Sequence, residues 1–125
     1  MVTITPLDKI GSDERGCTHE YFHERYGRHL LCFRKAGSVS GRHYHTGTSL
    51  TKNPEIIILA HGTLTLHYRK VNSKELMNTL VEGPAKIEIL PYVWHEMISL
   101  TDCTFIELNS LSEHEADTFN DDLPV

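Results

Sequence analysis

The chain has 125 residues, 39% hydrophobic and 23% charged, which describes one ordinary globular domain and excludes a disordered or fibrous protein. Twelve Lys and Arg against seventeen Asp and Glu give a net charge of −5. No basic stripe suggests nucleic-acid binding, and no apolar run nears the roughly 18 residues of a membrane span.

In chain order, the N-terminal MVTITPLDKIGSDERG lacks the basic and apolar regions of a signal peptide, so a cytoplasmic location is expected. Short runs rich in Val, Ile, Thr, Leu and aromatics follow, over Arg28–Lys35, Glu55–Ala60, Thr63–Lys70, Ala85–Leu90 and Cys103–Leu108. Eight glycines and five prolines punctuate them. Strands at regular spacing between turn residues predict an all-β sandwich or barrel. Thr63–Lys70 alternates with period two and gives the clearest strand signal. His19–Tyr26 and Ser73–Leu80 could each form a turn or two of helix, and Ser112–Asp117 a final helical turn. One domain is expected, with its core at about 28–110, an N-terminal strand or arm over 1–27 and an acidic tail over 112–125. That tail holds Glu113, Glu115, Asp117, Asp121 and Asp122 with no Lys or Arg, whereas the preceding chain is balanced at twelve acids and twelve bases. A loosely ordered, solubilising end is the simplest expectation for it. Cys17, Cys32 and Cys103 are odd in number and widely spaced, which excludes a disulfide framework and suits a reducing compartment. Cys32 and Cys103 lie in apolar strand contexts and are expected to be buried.

The nine histidines are the compositional surplus. His43 and His45 stand two apart, and in a strand such residues share a face. Two imidazoles projecting together suit adjacent positions on one metal ion. Glu55 opens the next strand and is a third ligand candidate, and His95, after Pro91 and Trp94, is a fourth. Three imidazoles and one carboxylate suit zinc, iron, manganese or nickel, with zinc favoured. His67, within the alternating strand, and Tyr44 are candidate acid–base groups. Arg42, Tyr92, Trp94 and His61 are candidate substrate contacts, core packing being the other reading of Trp94. Arg34 and Lys70 could meet an anionic substrate. His19, His23, His29 and His114 are expected on the surface.

These residues resemble the first motif of the cupin superfamily. Gly37 precedes His43 by five residues, His43-Tyr44-His45 forms the HxH, and Glu55 stands six residues before Gly62. The nine residues between His45 and Glu55 are more than the family pattern has, and Gly47, Asn53 and Pro54 make them a longer hairpin loop. The second motif is degenerate: Leu90–His95 keeps the His, shifts the Pro, has Tyr92 for the Gly and, later, Ser99 for the Asn. The resemblance implies an RmlC-like double-stranded β-helix, or jelly roll, with its site in the barrel mouth.

A narrower resemblance reaches dTDP-4-dehydrorhamnose 3,5-epimerases. Asp13-Glu14-Arg15-Gly16 with Glu20 is similar to their DERG…E opening, Gly37–Tyr44 to their GVLRGLHY segment, and Asn120–Leu123 to their WNDPxL. The HxH form is closer to the C-terminal cupin domain of capsular-polysaccharide epimerase proteins, which also have a late Asp-Thr-Phe like Asp117–Phe119. Together these imply an isomerase or epimerase of a keto-sugar or sugar nucleotide in polysaccharide biosynthesis, with a carbohydrate ligand and a homodimer. Ser40 replaces the phosphate-gripping Arg of the rhamnose-type enzymes. Ser110 and Leu111 occupy the region of their tyrosine acid, and no Asp on Thr63–Lys70 matches the partner of their catalytic His. Two other classes therefore stand beside the enzyme: a binding cupin without turnover, and an Fe(II)-dependent dioxygenase.

Overall fold

The structure, a computed structural model, describes residues 1–121. Its elements are β1 (Val2–Pro6), β2 (Asp8–Asp13), β3 (Gly16–Glu20), β4 (Leu30–Arg34), β5 (Val39–His43), β6 (Glu55–His61), β7 (Thr63–Lys70), β8 (Met77–Glu82), β9 (Ala85–Ile89), β10 (Val93–Ser99), β11 (Cys103–Glu107) and α1 (Leu111–Ala116). Five strands form one antiparallel sheet in the order β1-β9-β6-β11-β4, and four form a second in the order β5-β10-β7-β8. The β2–β3 hairpin stands apart as a two-stranded ribbon. Among the described residues no helix is long and apolar enough to cross a membrane.

Period-two alternation builds the interior. Leu64 and Leu66 of β7, Ile57 and Leu59 of β6, and Ile87 and Ile89 of β9 are almost fully buried in one cluster between the sheets. Burial of each such side chain stabilises by about 1.5–3 kcal/mol. β1, in the segment expected as a strand or arm, completes the larger sheet by pairing with β9, and Val2 and Ile4 pack against the core.

Three local expectations are corrected. Helix does not form over His19–Tyr26, where β3 ends at Glu20 and an irregular segment follows. Nor does it form over Ser73–Leu80, because Met77–Glu82 pairs along β7 as β8 and alternates its burial. The acidic end is also not loose over its described part. Ser110 caps α1 through a reciprocal capping box with Glu113. Asp117 is buried, and Asp121 meets the fully buried Arg69 at 2.6 Å. The match to Asp122 and Leu123 lies outside the described residues.

A candidate metal and ligand site in the barrel mouth

β5 and β10 pair so that His43 stands directly opposite His95. The register then shifts at Glu96, against Gly41 and Arg42, whose φ angles are +89° and +64°. A Cβ at residue 41 would lie 2.9 Å from the His95 carbonyl oxygen, so the bulge requires glycine there. This bulge leaves both imidazoles facing inward. His45 follows β5, Glu55 opens β6 on the face of Ile57 and Leu59, and His114 arrives on α1.

The ligand atoms of His43, His45 and His95 lie within 4.8 Å of one another, and so do those of His45, Glu55 and His114. The four expected ligands are therefore brought together, joined by His114, which was expected on the surface. The position of His114 depends on α1 folding back over the mouth, a long-range event that no local pattern encodes.

Tautomers follow from the partners. His45 Nδ1 donates to the Asp117 carbonyl at 2.6 Å, and His95 Nδ1 donates to the Val93 carbonyl at 3.0 Å. Both rings therefore turn Nε2 toward Glu55, at 2.9 Å from Oε2 and 3.2 Å from Oε1. His45 Nε2 is buried and has no hydrogen-bond partner among the described residues. Two imidazoles oriented by backbone carbonyls, with Nε2 aimed at a shared carboxylate, form a donor set that fits a divalent ion.

Lys52 is a component that sequence reasoning missed. Its fully buried ammonium contacts Glu55 Oε2 and donates to His114 Nδ1 at 3.0 Å. Burial alone would raise the Glu55 carboxyl, but the imidazoles of His45 and His95 and the Lys52 charge outweigh it, holding the group well below the usual carboxylate range. Burial first, and then the neighbouring His95 ring for His43 and the Lys52 ammonium for His114, push His43 down to about 3 and His114 to about 4, so both are neutral near pH 7. The loop carrying Lys52 is organised by Asp117, which accepts hydrogen bonds from Thr46 N and Oγ1 (both 2.7 Å), Gly47 N (2.9 Å) and Ser49 N (3.1 Å).

The cluster closes one side of a cavity of about 330 Å³. Leu30, Cys32 and Arg34 of β4, Phe105 and Glu107 of β11, Met97 and Leu111 line the remainder. Arg34 donates to Ser40 Oγ at 3.0 Å and lies over the Phe105 ring.

None of the other six expected site residues lines this cavity. His67 follows Leu66 and so points to the outer face of its sheet, where it meets Glu96 at 3.1 Å. Arg42 sits on the same face and donates to Glu96 at 2.6 Å. Tyr44, between two inward histidines, points outward and stacks with Tyr92, whose own φ is +60°. Trp94, next to inward His95, is buried on the outer side under the Arg69 guanidinium. His61 ends β6, six residues beyond Glu55, and is exposed.

The two antiparallel sheets have the RmlC-like cupin fold. No protein-family model matches the chain, and no curated protein matches it. Solved structures do. The 3,4-ketoisomerase QdtA of Thermoanaerobacterium thermosaccharolyticum, solved with TDP-4-keto-6-deoxyglucose, shares 18% identity over 94% of this chain and 86% of that one, with a TM-score of 0.71. The dTDP-4-dehydrorhamnose 3,5-epimerase of Sulfolobus tokodaii shares 18% over 86% and 68%, with a TM-score of 0.65. CapF, solved with 3-isopropenyl-tropolone, shares 22% over 94% of this chain and 35% of that one, with a TM-score of 0.61.

Proposed function

We propose that the protein is a metal-binding cupin that isomerises or epimerises a keto-sugar carried on a nucleotide. The observation that carries this reading is the convergence of His43, His45, His95 and Glu55 on one side of a 330 Å³ cavity. Those four residues would hold zinc, iron, manganese or nickel, and such an ion supplies Lewis-acid polarisation of a carbonyl.

The chain's own residues account for the remaining requirements. The cavity lies at the small end of ligand pockets, about 300–1,000 Å³, which suits a sugar ring with its nucleotide left outside. Phe105, Met97 and Leu30 exclude water around that ring. Arg34 is the cation on the cavity wall, in position for an anionic substituent of the ligand, and Ser40 fixes its guanidinium. Two of the similar solved structures, a 3,4-ketoisomerase holding TDP-4-keto-6-deoxyglucose and a dTDP-4-dehydrorhamnose 3,5-epimerase, support the ligand class. A homodimer belongs to the same reading, and light scattering at twice the 14.3 kDa chain mass would support it.

The test is incubation with TDP-4-keto-6-deoxyglucose and a panel of other nucleotide-linked keto-sugars in D₂O, followed by proton NMR. Deuterium should enter the carbon next to the ketone, and an absence of exchange across the panel refutes the reading. One observation favours a second reading, a binding cupin without turnover: neither His67 nor Tyr44 reaches the cavity. Saturable binding of the same sugars without exchange would establish that alternative.

A further inference from the structure

Removing a proton next to a ketone requires a base within reach of the sugar. His67 and Tyr44 are on the wrong side of their sheet. The inward histidines, Glu55 and Lys52 are turned on one another. Among the described residues one carboxylate of the cavity is left: Glu107, at the end of β11.

Cys103 and Phe105 of the same strand are buried in the core, so alternation turns Glu107 inward as well. Its register neighbours are Ile57 on β6 and Leu30 on β4, apolar on both sides. No hydrogen bond reaches its carboxylate among the described residues, unlike Glu55, Glu96, Glu113 or Asp117. It stands on the five-stranded sheet, whereas His43 and His95 stand on the four-stranded one. Facing sheets lie about 10 Å apart, room for a sugar ring between a carboxylate on one wall and imidazoles on the other.

The geometry points to Glu107 as the general base of the cavity, taking the proton next to the ketone of a bound keto-sugar and returning it to the neighbouring carbon; the inference rests on the keto-sugar reading. The C–H bond breaks, its electron pair forms the enolate C=C, and the carbonyl π pair moves to oxygen. A proton then passes from the adjacent hydroxyl oxygen to the former ketone oxygen. Glu107 delivers its proton to the former carbonyl carbon, the C=C closes to the new ketone, and no oxidant or co-reactant is consumed. Burial in the first place, then the charge of Glu55, raises the Glu107 carboxyl above its ordinary value, toward the range in which a base works near neutral pH.

Glu107→Gln tests the assignment with three readouts against the wild type: deuterium entry into TDP-4-keto-6-deoxyglucose and the rest of the panel, TDP binding by calorimetry, and thermal midpoint. The variant should exchange at least about a hundredfold more slowly, the usual scale of general-base loss. TDP should bind within about threefold of wild type, and Glu107→Asp should recover part of the rate. The thermal midpoint should rise, because a neutral amide is less costly to bury than a carboxylate without partners. Exchange within about threefold of wild type in Glu107→Gln would overturn the base assignment and leave the keto-sugar reading standing. So would a joint loss of TDP binding and thermal midpoint, which marks a structural role. Absence of exchange in the wild type removes the reading itself, and the inference with it.

Discussion

Asp117 is the side chain on which the mouth of the barrel is assembled. Its carboxylate accepts four hydrogen bonds from Thr46, Gly47 and Ser49, while its carbonyl orients His45. Burial opposes its charge, yet the backbone and hydroxyl donors prevail and hold the carboxyl below its ordinary value. A group depressed on folding stabilises the native state above its unfolded pKa, and that contribution disappears as pH falls through the folded value. Asp117→Asn should therefore cost about 2–3 kcal/mol at pH 7, the scale of bonds to a charged acceptor. Below about pH 4 the deficit should begin to shrink, because the unfolded wild-type chain takes up the proton there before the native carboxylate does. Urea unfolding of both proteins at pH 7 and pH 3.5 measures this, and an equal deficit at both values would show that the charge is not what stabilises the loop.

At the scale of elements, a helix of six residues and one tight turn control the site. α1 is too short to persist alone, and its capping box holds His114 over the cluster. Ser110→Ala should lower stability by about 1 kcal/mol, read as a fall in the urea midpoint. Gly62 joins β6 to β7 with φ +105°, and a Cβ there would stand 2.4 Å from the Asp102 carbonyl oxygen. Gly62→Ala should therefore destabilise by more than about 2 kcal/mol, through both strain and clash. A thermal midpoint unchanged in this variant would contradict the turn geometry.

The same elements explain which parts of the site could be read from the sequence. His43, His45 and Glu55 were legible because period two and a strand start place them without knowledge of the partner strands. The rule that joins His43 to His45 also turns Tyr44 outward, as it does Trp94 beside His95. His67 lies in phase with Thr63 and Thr65 rather than with Leu64 and Leu66, so its outward direction was written in the alternation. Glu107 carried the converse signal, in phase with Cys103 and Phe105. Lys52, His114 and Asp117 had no such signal, because loop 46–54 and α1 meet only after the chain has closed the barrel. The strand rhythm fixed the fold class. It did not reveal β8, whose polar outward residues Asn78 and Glu82 resemble a solvated helix face when read without β7 beside it.

For the whole molecule, the net charge of −5 says little about the ligand. Its surplus acids lie at the C-terminus, where Glu113, Asp117 and Asp121 serve the helix cap, the loop and Arg69. The proposed ligand site is instead the cavity between the two sheets. An ion bound there to the folded state alone would raise the thermal midpoint by mass action. The proposal depends on His43, His45, Glu55 and His95 acting as one donor set. Metal content per chain, determined on protein purified without added metal, tests that dependence most directly. About one divalent ion per wild-type chain is expected, as a single donor set requires, with near-complete loss in the His43→Ala/His45→Ala variant. An unchanged metal content in that variant, or a wild-type protein that takes up no divalent ion even when one is supplied, would contradict it.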